Sequence, residues 1–194
     1  MEDINKRKQQ ISGLYNYAMH YGLYMGLFLV FIFLCFVVAF HLQVFIFQSI
    51  SIILLIIIPV LAYFFVKKFR DNILNGEIRF SLAWNFGTLM FFFASLILAI
   101  TVYIFLEYIT PSLYTEIISN LSQSVDYMIK NAGGNSILSQ QIKLMQEQLA
   151  LLSALPARSA IEMAVDNLGN SVFWGIIISI PIAIIVKSKG QRVK

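Results

Sequence analysis

Residues 45–70 read FIFQSISIILLIIIPVLAYFFVKKFR. The first 22 of them carry no charge, and Lys67, Lys68 and Arg70 follow at once. A helix needs about 20 apolar residues to cross the hydrocarbon core, so Phe45–Val66 is long enough to span. Basic residues crowd the cytoplasmic ends of spans. The same alternation recurs on both sides of this stretch. Leu23–Phe40, Leu82–Leu106 and Val172–Val186 are apolar. Lys6, Arg7 and Lys8 precede the first run, Arg79 stands before the third, and Lys187, Lys189, Arg192 and Lys194 follow the last. The pattern predicts an all-α integral membrane four-helix bundle with both termini cytoplasmic.

Composition agrees. The chain has 194 residues, 59% hydrophobic and 12% charged, whereas a soluble domain is about half apolar and about a quarter charged. The net charge of +4 does not point to nucleic acid, because the basic residues stand beside spans, where orientation accounts for them. Cys35 is the single cysteine, so no internal disulfide can form. A polar stretch precedes the first apolar run, and that run is too long for a cleaved signal, so the first span is expected to remain as an anchor.

The expected order is a cytoplasmic segment over 1–16, spans over 17–41 and 45–66, and a basic cytoplasmic loop over 67–80. A third span over 81–108, an insert over 110–167, a fourth span over 169–187 and a basic tail over 188–194 complete it. Tyr15, Tyr17, Tyr21 and Tyr24 suit a headgroup-level belt. His41–Val44 makes a tight external turn. Pro59 is expected to kink the second span, and Pro181 to break the fourth one turn before its inner end. Asn75-Gly76 signals a turn in the basic loop.

The insert differs in kind. It is polar and acidic, with Glu116, Asp126, Glu147, Glu162 and Asp166 against Lys130, Lys143 and Arg158, and the orientation rule places it outside. Tyr114, Ile117, Ile118, Leu121, Val125 and Met128 recur at helical spacing, as do Leu138, Ile142, Met145, Leu149 and Leu152. Asn131–Asn135 separates the two stripes, Ser136 is placed to cap the second helix, and Pro156 ends it. This is an extracytoplasmic helical hairpin between spans 3 and 4. Its stripes are expected to pack on each other and on the membrane surface, or to dock a partner protein. A further helical piece, Ala157–Leu168, can run straight into the fourth span.

Lipid tails are as apolar as leucine, so spans associate through small residues that let backbones approach. Ala18, Gly22 and Gly26 form one such stripe, and Ser171, Gly175, Ser179 and Ala183 another. Ala83, Gly87, Ser95 and Ala99 keep the same period, interrupted by Phe91. Such grooves can join spans of one molecule or of two; packing within one molecule is the expectation.

Charge inside a bilayer is costly and often functional, and the spans are nearly free of it. His41, Gln43, Gln48 and Glu107 fall at the predicted outer ends of the first three spans. Together they would make a lipid-phosphate or proton site; simple interfacial residence is the blander reading. His20 and Cys35 are read as interfacial and as an apolar filler. No phosphate-cradling glycine loop, His-Glu-x-x-His, paired cysteine or Gly-x-Ser-x-Gly occurs, so no catalytic residue, metal or cofactor is expected.

Tyr21-Gly22-Leu23-Tyr24-Met25-Gly26, then Phe80-Ser81-Leu82-Ala83-Trp84-Asn85-Phe86-Gly87, then Tyr108-Ile109-Thr110-Pro111 and the basic tail after Ala183 resemble a family of bacterial membrane proteins catalogued as a domain of unknown function. The likeness covers nearly the whole chain. It implies four spans with an external helical insert, the bacterial inner membrane, and a link to a polyprenyl-phosphate glycosyltransferase in envelope glycan metabolism. The preferred expectation is a non-enzymatic membrane subunit or scaffold of a cell-envelope complex that binds partners through the hairpin. The basic loop would bind anionic lipid or a cytosolic partner. The alternatives are a lipid-handling or transport protein for polyprenyl-linked sugars, using His41 and Glu107, and a homo-oligomeric channel built on free small-residue faces.

Overall fold

A computed structural model describes residues 2–42, 45–131, 136–154 and 158–188. Its elements are α1 (Glu2–Leu42), α2 (Phe45–Ile73), α3 (Phe80–Ile104), a π-helical turn (Phe105–Ile109), α4 (Leu113–Asn131), α5 (Ser136–Ala154) and α6 (Ala160–Val186). No strand occurs among the described residues. Four helical stretches are long and apolar enough to cross a membrane: Gly13–Ala39, Ser49–Ile73, Phe80–Ile109 and Ala160–Val186. The chain forms two units, residues 1–101 with 164–194, and residues 102–163.

In the first unit the helix directions alternate. Tyr17 meets Phe69 and Tyr21 meets Phe65, so α1 and α2 run antiparallel. Gly22 lies against Met90 and Phe93, and Gly26 against Ala94 and Ile97, so α1 and α3 run parallel. Gly87 lies against Ser179 and Gly175 against Phe91, so α3 and α6 run antiparallel. This is an up-down-up-down bundle, with α3 touching both α1 and α6.

The core of this unit is small residues and rings. Ala18, Met25, Ala62, Phe86, Met90 and Ala94 are fully buried. Phe69 and Phe86 stack with centroids 4.1 Å apart and planes 5° from parallel, and Tyr21 meets Phe86 edge-on at 6.1 Å. That cluster ties α1, α2 and α3 at one end. Tyr21 is thus half-buried among rings, whereas Tyr15 and Tyr24 are exposed. The outward surface is apolar as well: Ile52, Ile53, Ile56, Val60 and Phe64 on α2, and Phe173, Trp174, Ile184 and Ile185 on α6, are exposed. Water would not tolerate so continuous an apolar exterior; a hydrocarbon surround accommodates it.

The sequence placed a break at Pro181, and the structure corrects this. The helix α6 runs through Pro181 to Val186. A proline removes one N–H and frees one carbonyl, and membrane helices absorb that loss within the bundle. Ile182 and Ala183, just after it, are buried and hold the last turn in place. Helix α2 likewise continues through Pro59. The amino-terminal segment and first span are one helix, α1, and the helix of the fourth span starts at Ala160, inside the expected insert. A reciprocal cap sets that start: Glu162 Oε2 accepts from Ser159 N–H at 3.0 Å, and Glu162 N–H donates to Ser159 Oγ at 3.4 Å.

In the second unit α3 ends in the π-helical turn, where Thr110 N–H donates to Phe105 O at 2.9 Å. Pro111 explains the ending. It forces Thr110 out of the helical region, to φ −140° and ψ 75°. Helices α4 and α5 then pack on each other, and Val125 and Ile142 are buried in that unit.

Candidate functional site

Polar chemistry in the first unit gathers where the α2–α3 loop meets the end of α6. Asn75 and Gly76 take left-handed conformations, φ 51° and 88°, which lets Leu74 and Gly76 both donate to Arg70 O at 3.1 Å. The turned loop reaches Ser188. Ser188 N–H donates to Ile78 O at 3.0 Å, Ile78 N–H donates to Ser188 Oγ at 2.8 Å, and that hydroxyl donates to Gly76 O at 3.2 Å. Arg70 Nε binds Asp71 Oδ1 at 2.7 Å, while its Nη1 donates to Val186 O at 3.3 Å. A cation therefore caps the negative end of α6. Lys68, Arg79 and Lys187 around this closure are exposed. Sequence reading recognised the basic residues and the Asn75-Gly76 turn but missed Ser188. A lone serine after a span carries no local signal for a partner 110 positions away.

The helix-packing residues fall as follows. Ala18, Gly22, Gly26, Gly175, Ser179 and Ala183 are buried, and Ser171 is half-buried. A Cβ on Gly22 would lie 2.7 Å from Phe93 Cβ and 2.9 Å from Met90 O, and one on Gly26 would lie 2.8 Å from Ile97 Cδ1. A Cβ on Gly175 would overlap Phe91 Cβ and Cγ. Phe91, which interrupts the small-residue period of α3, is the side chain that fills the Gly175 groove. Ser95 and Ser179 are buried, and each hydroxyl donates to the carbonyl one turn earlier in its own helix, Phe91 O and Gly175 O, at 2.7 Å. These grooves are occupied within the molecule.

Glu107 is exposed on the π-helical turn. Gln43 lies outside the described residues, as do the side chains of His41 and Gln48. Among the described residues no group of three His, Cys, Asp or Glu side chains could hold a metal ion.

The hairpin shows a different kind of surface. Leu113, Val125 and Ile142 are buried, but Leu121, Tyr127, Met128, Ile129, Leu144, Met145 and Leu151 are exposed. Leu144 and Leu151 stand seven residues apart on α5 and are 58% and 69% exposed. At about 100° per residue both fall on the opposite side of α5 from Ile142. The amphipathic stripe is legible in the sequence; the signal for this second ridge behind it is the seven-residue spacing of Ile137, Leu144 and Leu151.

Four apolar helices in an alternating bundle, with lipid-compatible exteriors, define a multi-pass α-helical membrane protein. The chain matches the family model described as "Protein of unknown function (DUF4199)" over residues 20–188, and it belongs to that family. No curated protein and no solved structure matches it.

Proposed function

We propose that this chain is a non-enzymatic integral membrane subunit or scaffold of a cell-envelope complex, holding a partner through its helical hairpin. In this reading it sits in a bacterial inner membrane with both termini in the cytoplasm and the hairpin outside. The observation that carries the proposal is the exposed Leu144–Leu151 ridge on α5, behind the face that packs on α4. A free helix surface of leucines is costly in water, and a partner helix laid along it would remove that cost. Basic residues at the opposite chain segments support the orientation.

The test is purification of the full chain in mild detergent. A membrane-protein partner should co-purify at fixed stoichiometry and be lost from the Leu144→Gln/Leu151→Gln variant. Repeated recovery of a lone monomer, or a partner retained by that variant, counts against the proposal. A reporter fused after Lys194 should prove cytoplasmic, and protease outside intact cells should reach Gly133; the reverse would overturn the assignment of sides.

A further inference from the structure

The closure at the end of α6 brings together cations from segments far apart in the chain. Lys67 and Lys68 follow the second apolar run, Arg79 precedes Phe80 at the start of α3, and Lys187 follows Val186 at the end of α6. All four thus sit where an apolar helix gives way to polar chain, which is headgroup depth for a spanning helix. Ile78 and Ser188 are bonded through two contacts, 3.0 Å and 2.8 Å. Arg79 and Lys187 are each the immediate chain neighbour of one of these bonded residues. Arg70 is not part of the available charge. It is engaged by Asp71 and by Val186 O, so the pair neutralises itself while capping α6. Glu77 is the remaining carboxylate in the loop. Lys68, Arg79 and Lys187 are exposed and, among the described residues, none is held in an ion pair.

Next to these cations the surface is apolar rather than polar. Phe80, beside Arg79, is exposed, as are Ile184 and Ile185, within the last turn before Lys187. Exposed cations bordered by exposed apolar side chains match an amphiphile: phosphate at the charges, acyl chain along the helices. Free phosphate or a polyanion in water would use the charges and leave the apolar border unexplained.

We infer that this end of the bundle binds the phosphate headgroup of anionic phospholipids, with Arg79 and Lys187 as its paired contacts and Ser188 as the positioning residue that holds them side by side. The inference stands apart from the hairpin proposal, because it uses only residues of the first unit.

The test uses the full chain with Trp174→Phe, which leaves Trp84 as the single tryptophan, one helical turn from Phe80. It is reconstituted in vesicles with increasing fractions of brominated phosphatidylglycerol or brominated phosphatidylcholine, and quenching of Trp84 reports which lipid occupies the neighbouring sites. The anionic lipid should be preferred by about thirtyfold, the size expected for two basic residues at about 1 kcal/mol each near an anionic surface. Arg79→Gln/Lys187→Gln should abolish the preference. Ser188→Ala, which keeps every charge, should lower it part-way. Raising salt to about 1 M shortens the screening length to about 3 Å and should collapse the preference of the unaltered residues, a measurement that needs no charge variant to fold. Equal quenching by the two lipids, a preference untouched by salt, or one retained by the double variant would overturn the inference. Reversal by millimolar inorganic phosphate would assign the cations to free phosphate and overturn the lipid reading.

Discussion

The seams of α3 with α1 and α6 and the seam of α4 with α5 are both helix-on-helix contacts, built on opposite principles. At the α3 seams glycines take neighbouring side chains at distances a methyl group could not share: Gly22 and Gly26 against Met90, Phe93 and Ile97, and Gly175 against Phe91. At the α4–α5 seam there is no such groove among the described glycines. Apolar stripes meet there, and Val125 and Ile142 are buried. The difference is the one that two solvents would impose. Between spans, a leucine gains nothing by leaving lipid for protein, so close fit must hold the helices. In water, burial itself stabilises, by about 25 cal/mol per Å² of apolar surface, and shape can be looser.

The sharpest way to break this contrast is Gly175→Leu. Overpacking should separate α6 from α3 and cost about 3 kcal/mol or more, read as a lower thermal midpoint in detergent and loss of monodisperse protein. A normal melt would show that the seam is not tight. Next in size, Val125→Asp places an unpaired charge in the hairpin seam at a cost of about 2 kcal/mol or more. Limited proteolysis should then cut within 113–154 while the spans stay protected; simultaneous loss of both would deny the two-unit division. Ser188→Ala removes one donor and one acceptor at the loop closure and should lower stability by about 1 kcal/mol, with faster amide exchange at Ile78 as the local sign. Smallest of all, Leu144→Gln/Leu151→Gln should leave the melting temperature nearly unchanged, since both side chains are exposed, while removing partner co-purification. A large destabilisation would mean that this ridge is packed in the native protein.

The four spans were legible because hydropathy is local and additive: any window of Leu82–Leu106 or Phe45–Val66 reports its own preference for lipid. The hairpin was legible from a 3.6-residue stripe on either side of Asn131–Asn135. The small-residue faces of α1 and α6 could be traced from period alone. The site reading has another basis. His41, Gln43, Gln48 and Glu107 were grouped by predicted depth, and depth does not say which helix turns toward which. The break expected at Pro181 treated a local propensity as decisive, where burial of Ile182 and Ala183 outweighs one missing donor.

Chain chemistry alone therefore settles how often the polypeptide prefers hydrocarbon to water, and where a more polar hairpin interrupts it, since each choice is made residue by residue. Partnership is another matter. That α3 lies against both α1 and α6, that Phe91 fills the groove at Gly175, and that Ser188 fastens the α2–α3 loop all depend on surfaces meeting across long separations. Complementarity of that kind belongs to pairs of helices in space, and no single stretch of sequence contains it.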